Sequence, residues 1–177
     1  AIVFSPASTT TSAAISMKSA RACVLRGFAL RHGNANATGP LVLTGTDPVV
    51  LLDTSDNSFE NMIFGTNDPA IRISTSSLIK LNAAITTTID KCLFMGGQYG
   101  IETGDSYTNS TQVERCQFIF QGISAIYVVE GAETLVIQRN TFEPTHDSGA
   151  GALLMRDNGG SALRYAIDFS NNWCGDV

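Results

Sequence analysis

One phrase recurs in this chain. Ile89-x-Lys91-Cys92-x-Phe94 returns 24 residues later as Val113-x-Arg115-Cys116-x-Phe118. Looser copies flank the pair: Phe59-x-Asn61-Met62-x-Phe64, Ile137-x-Arg139-Asn140-x-Phe142, and Phe169-x-Asn171-Asn172 followed by Trp173. A weaker first copy runs from Cys23 to Leu30. Successive full copies begin 30, 24, 24 and 32 residues apart. A pattern that returns at such intervals marks stacked structural units, and loops absorb the irregular lengths.

A second apolar segment follows each copy, around Ile71, Ile101, Ile126 and Leu153. A third precedes the next copy, near Leu81 and near Leu135. Each unit therefore reads as two or three strands of three to five residues, with no helix between them. A βαβ fold needs crossovers of about a dozen residues, which this pattern lacks. A sandwich of short strands does not require one recurring phrase. A coil that sets each strand on its equivalent, about 4.8 Å away, does require it. The expectation is an all-β parallel solenoid of about six rungs over residues 20–177, with residues 1–19 as a lead-in. The chain as a whole reads as part of a longer protein.

The repeat assigns side chains to columns. Phe94, Phe118 and Phe142 are expected to stack inside the coil, with Phe64 below and Trp173 above. Ile89, Val113 and Ile137 form a second internal column. Met62, Cys92, Cys116, Asn140 and Asn172 form a third, at an inward bend. Asparagine there can hydrogen-bond along its column. Cys92 and Cys116 read as reduced, packed neighbours, since free cysteine behaves as a small buried hydrophobe.

The apolar-x-x-Asn/Cys-x-Phe phrase, with a glycine-rich turn and a second strand, resembles a rung of the right-handed parallel β-helix. That is the pectate-lyase-like family, which includes many phage tailspikes, and the likeness covers about Ala20 to Trp173. The resemblance implies a bacterial surface polysaccharide as partner, bound or depolymerised. It also implies a homotrimer and a location on the virion (phage tail) or outside the cell. The family's pectate lyases use a calcium-bound aspartate cluster and an arginine base, and their signature motifs are not found here. A scaffold of this kind hosts many activities, so function has to be argued from a site.

Composition narrows the partners. The formal net charge is −5, which opposes broad binding to nucleic acid. No apolar run approaches the roughly 18 to 20 residues of a membrane span, so no membrane insertion is expected. The four cysteines form no CxxC pair, and neither a metal nor another cofactor is expected.

Chemistry on a solenoid requires outward side chains aligned over several turns. With Ile71, Ile101, Ile126 and Leu153 inward, alternation turns Arg72, Glu102, Tyr127 and Leu154 outward. Four positions after the anchors stand Thr75, Asp105, Glu130 and Asp157. Carboxylates about 5 Å apart suit retaining glycoside hydrolysis, and pairs at about 6.5 to 9.5 Å suit the inverting kind. Asp105, Glu130, Asp157 and Glu102 are thus the catalytic candidates. Arg72 and Arg156 are placed to hold an anionic sugar, and Tyr127 to offer a ring face. Acids are also ordinary at strand ends, so sugar binding without cleavage, and a purely structural segment of a virion fibre, stay open. A secreted lyase or epimerase is a third alternative.

Glu60, Asp90, Glu114 and Gln138 form another polar column, beside Asn61, Lys91, Arg115 and Arg139. It reads as a solvated ladder of ion pairs, Asp90 with Arg115 and Glu114 with Arg139. Glu143, His146, Asp147 and Ser148 fall on an irregular insertion that reads as a solvated turn. "MGGQYG" at Met95–Gly100 reads as a tight turn, because no phosphate-loop lysine or helix follows it.

Overall fold

The computed structural model describes residues 2–4, 15–16, 21–32, 50–52, 56–65, 77–81, 86–103, 109–128, 134–143, 151–156 and 166–175. All regular structure in this set is β. The chain winds in rungs of three short strands. Rung 1 holds β1 (Ile2–Phe4), β2 (Ile15–Ser16) and β3 (Val24–Arg26). Rung 2 holds β4 (Ala29–His32), β5 (Val50–Leu52) and β6 (Ser58–Glu60). Rung 3 holds β7 (Ile63–Gly65), β8 (Ser77–Leu81) and β9 (Thr88–Asp90). Rung 4 holds β10 (Leu93–Met95), β11 (Tyr99–Thr103) and β12 (Thr111–Glu114). Rung 5 holds β13 (Gln117–Ile119), β14 (Ser124–Val128) and β15 (Thr134–Gln138). Rung 6 holds β16 (Thr141–Phe142), β17 (Gly151–Met155) and β18 (Ala166–Ser170), and β19 (Trp173–Cys174) opens the next turn.

First, second and third strands each stack on their equivalents into three parallel sheets, A, B and C, of seven, six and six strands. This is the expected right-handed parallel β-helix. β1 and β2 lie within the segment read as a lead-in, and both already belong to the stack.

Sheets A and C supply the aromatic core. Leu30, Phe64, Phe94, Phe118 and Phe142 are consecutive register partners in sheet A. The four phenylalanine rings lie 5.1, 4.7 and 5.1 Å apart, nearly parallel. Leu25, Phe59, Ile89, Val113, Ile137 and Phe169 form the matching column of sheet C. Trp173 is a correction to the expected stack. Its partner is Thr141, and Cys174 is the residue in register with Phe142. Trp173 therefore points outward and is 57% exposed. The ring that tops the stack is Phe169, 5.6 Å from Phe142.

The third column behaves as a ladder. The Cys92 N–H donates to Cys116 Sγ, the Cys116 N–H to Asn140 Oδ1 and the Asn140 N–H to Asn172 Oδ1. Each side chain thus caps a backbone donor at the bend one rung below. The asparagine amides bond to carbonyls as well, Asn140 to Val113 and Asn172 to Ile137. Cys92 and Cys116 are both free and buried. Burial pushes the Cys116 thiol well above its ordinary range, while the hydrogen bond from Cys116 draws Cys92 the other way. Both residues are 2% exposed, so a desolvation cost opposes a thiolate at either.

Candidate functional site

β11 departs from strict alternation. On β11 both Gly100 and Ile101 face the interior, so Tyr99 before them and Glu102 after them face out. A Cβ added to Gly100 would lie 2.8 Å from the Phe118 ring and 2.8 Å from the Ala125 carbonyl, which is why glycine stands there.

Register then brings the outward groups together. Ile79, Ile101, Ile126 and Leu153 are partners, so Lys80, Glu102, Tyr127 and Leu154 form one outward row. The expected row held for three of four rungs. On rung 3 the anchor is Ile79 rather than Ile71, and Lys80 takes the place assigned to Arg72. Arg72 itself lies outside the described residues. So do Asp105, Glu130 and Asp157, whose anchors Ile101, Ile126 and Leu153 are nevertheless in register.

Within this row Lys80 Nζ lies 3.1 Å from Glu102 Oε1, and the two side chains are only 27% and 16% exposed. The Ser77 hydroxyl donates to the other Glu102 oxygen. Glu102 is thereby fixed in one orientation by a cation and a hydroxyl from the rung below. Tyr127 differs from its expected role. Its ring stacks against Tyr99 with centroids 4.5 Å apart, and it is 7% exposed. Tyr99, half-buried, lies on it. Burial raises the Tyr99 pKa above the ordinary tyrosine value, with Tyr127 and Glu102 adding to the shift and Arg156 opposing it. Arg156, exposed just past the end of β17, is thus within electrostatic reach of the ring.

Lys80, Ser77 and Tyr99 are the members that the sequence reading missed. A signal for Lys80 existed. Counted back from the next copy of the phrase, Ile79, Ile101 and Ile126 stand 10, 12 and 11 residues ahead, whereas Ile71 stands 18 ahead.

The acid column on sheet C is as expected in register, Glu60 on Asp90 on Glu114 on Gln138. Arg26 meets Glu60, and Arg115 meets Asp90 at 2.7 Å. Glu114 is met by Arg115 at 3.9 Å and by the Gln112 amide at 2.6 Å. The expected Glu114–Arg139 pair is not among the ion pairs of the described residues. Alternating charge makes this face a solvated ladder, worth little per exposed pair. Among the described residues no three His, Cys, Asp or Glu side chains gather as a metal site would require.

Sheet B's outer face therefore combines an aromatic ring, a fixed carboxylate and two cations over neighbouring rungs. Such a surface can pack against the C–H face of a sugar ring and hydrogen-bond its hydroxyls. Neither the curated proteins nor the solved structures offer a significant match. The family described as right handed beta helix region matches residues 9–173, and with the three stacked parallel sheets this places the chain in the right-handed β-helix family.

Proposed function

We propose that this chain is a tailspike-like β-helix segment that holds a bacterial surface polysaccharide along the outer face of sheet B. The observation that carries the reading is the outward row Lys80–Glu102–Tyr127, with Tyr99 and Arg156 beside it. Rings for stacking and fixed polar groups for orientation are what a saccharide site needs. Hydrolysis extends the reading, with two carboxylates drawn from Glu102, Asp105, Glu130 and Asp157. Equivalent positions on adjacent rungs are about 5 Å apart, and a two-rung step is about 10 Å, bracketing the separations used by glycosidases. The proposed setting is the outside of a virion, as a homotrimer.

Two measurements test this. A glycan array of bacterial capsule and lipopolysaccharide fragments is expected to show binding. A blank array at high protein concentration would assign the chain to a purely structural segment. For cleavage, a reducing-sugar assay on the bound polysaccharide is expected to fall at least a hundredfold when Glu102, Asp105, Glu130 and Asp157 are all replaced by their amides. Unchanged release of reducing ends would remove these acids from the mechanism.

A further inference from the structure

Tyr99 stands where sheet A gives way to sheet B. On rung 4 that connection is residues 96–98, and on rung 5 it is residues 120–123. Rung 3 uses residues 66–76 for the same connection, and rung 6 uses 143–150. The two middle rungs thus turn this corner with far less chain than their neighbours. The turn is possible because Gly96 and Gly97 take φ of 74° and 82°. It is pinned from inside by Gln121, whose amide donates to the carbonyls of Phe94, Gly96 and Ile119. Backbone bonds tie rung 5 to rung 4 across it, Gly122 N–H to Gly97 O and Ile123 N–H to Gln98 O. The result is a hydrogen-bonded step two rungs wide, about 10 Å.

The aromatic pair borders this step. Tyr127 is buried and Tyr99 half-buried, so Tyr99 is the ring of the pair that solvent reaches. Inward Gly100, with no room for a Cβ, holds Tyr99 outward.

We propose that Tyr99, seated on Tyr127, is the ring against which a sugar packs, and that the short corners of rungs 4 and 5 are where the saccharide crosses the solenoid. This rests on the polysaccharide reading above and adds to it the residue and the path. The ring face attracts the sugar's C–H groups, and the buried stacking partner holds the ring without further ordering cost. Tyr127 is a positioning residue here, not a contact.

The test uses the full chain carrying 3-fluorotyrosine, with oligosaccharides released from bacterial capsule and lipopolysaccharide as probes. The protein has four tyrosines, Tyr99, Tyr107, Tyr127 and Tyr165, so the fluorine spectrum is simple and Tyr99→Phe assigns one signal. Saturating probe is expected to shift the Tyr99 signal. Tyr99→Leu, which still covers Tyr127, is expected to weaken binding about tenfold, and Tyr99→Phe by less than about threefold. Binding that survives Tyr99→Leu with an unshifted Tyr99 signal would overturn this proposal and leave the polysaccharide reading standing. No binding of any probe by the unaltered chain would end both.

Discussion

Ten described residues other than glycine take positive φ, and nine of them fall in two columns. Ala22, Asp56, Thr86 and Ser110 turn the chain into sheet C. Asn61, Lys91, Arg115, Arg139 and Asn171 turn it from sheet C into sheet A. Among the described residues, rungs 2, 3 and 4 each use one such residue on either side of the third strand. Asparagine and aspartate tolerate that conformation through local hydrogen bonds, whereas a β-branched residue does not. Thr86, exposed and at φ 55°, is the least suited of the set. Thr86→Asn is expected to stabilise the fold by about 1 kcal/mol, seen as a higher urea midpoint at unchanged slope. A lower midpoint would mean that the threonine makes an interaction which outweighs its strain. Tyr99 gives a second residue-level expectation. Its raised pKa means the folded state holds the phenolic proton more tightly than the unfolded chain does. That contribution is complete below the unfolded tyrosine value near 10 and is lost as pH rises through the folded value. Stability should thus fall on the alkaline side of about pH 10, and Tyr99→Phe should flatten part of that fall in urea titrations at pH 9 and pH 11.

At the scale of elements, the columns were legible because the repeat fixes which residues share a height. The phenylalanine stack, the lead column and the Cys/Asn ladder all follow from aligning the phrase with itself. Two placements were not legible, for related reasons. Trp173, the only large ring after Asn172, reads from the sequence as the closing aromatic. The phrase places its inward residue two positions past the asparagine, which is Cys174. One step along a strand exchanges the two faces, so the tryptophan faces solvent. Spacing from the phrase before it makes Ile71 the anchor and leaves the segment near Leu81 as a third strand, whereas Ser77–Leu81 is the second strand of rung 3. The structure instead lengthens the A-to-B connection on rung 3 and keeps the distance to the phrase after it nearly constant. Length is free in a loop and costly in a strand that must stay in register. The outward row on sheet B depended on the same alignment, so Lys80 was missed while Glu102 and Tyr127 were found. A pair of truncations separates the two aromatic placements. Phe118, fully buried between Phe94 and Phe142, should cost about 3 to 5 kcal/mol as Phe118→Ala. Trp173→Ala should stay within about 0.5 kcal/mol. Equal losses in urea denaturation would return Trp173 to the core.

For the whole molecule, stacking makes stability a one-dimensional property. Each rung touches only its neighbours, so the middle is supported from two sides and, among the described residues, β17 and β18 of rung 6 from one. That asymmetry shows in exposure. Phe94, Phe118, Ile126 and Ile137 are fully enclosed, whereas Phe169, Leu154 and Met155 on rung 6 are 38%, 39% and 45% exposed. Among the described residues β17, β18 and β19 are also the terminal strands of their sheets. Parallel strands derive their support from burial on their faces as well as from pairing, so the half-exposed rung 6 is expected to open locally without global unfolding. Amide hydrogen exchange on the purified chain would resolve this strand by strand. Amides of β13 and β14 should exchange only through global unfolding and follow the urea-derived stability. Those of β18 should exchange through local opening, at least a hundredfold faster. Phe118→Ala should then lower protection throughout rungs 4 and 5 and change β18 far less. If Phe169 and Ile137 were protected equally, the top of the solenoid would be covered in solution. The exposed Phe169 ring would then be an interface of the assembled protein and not a frayed end.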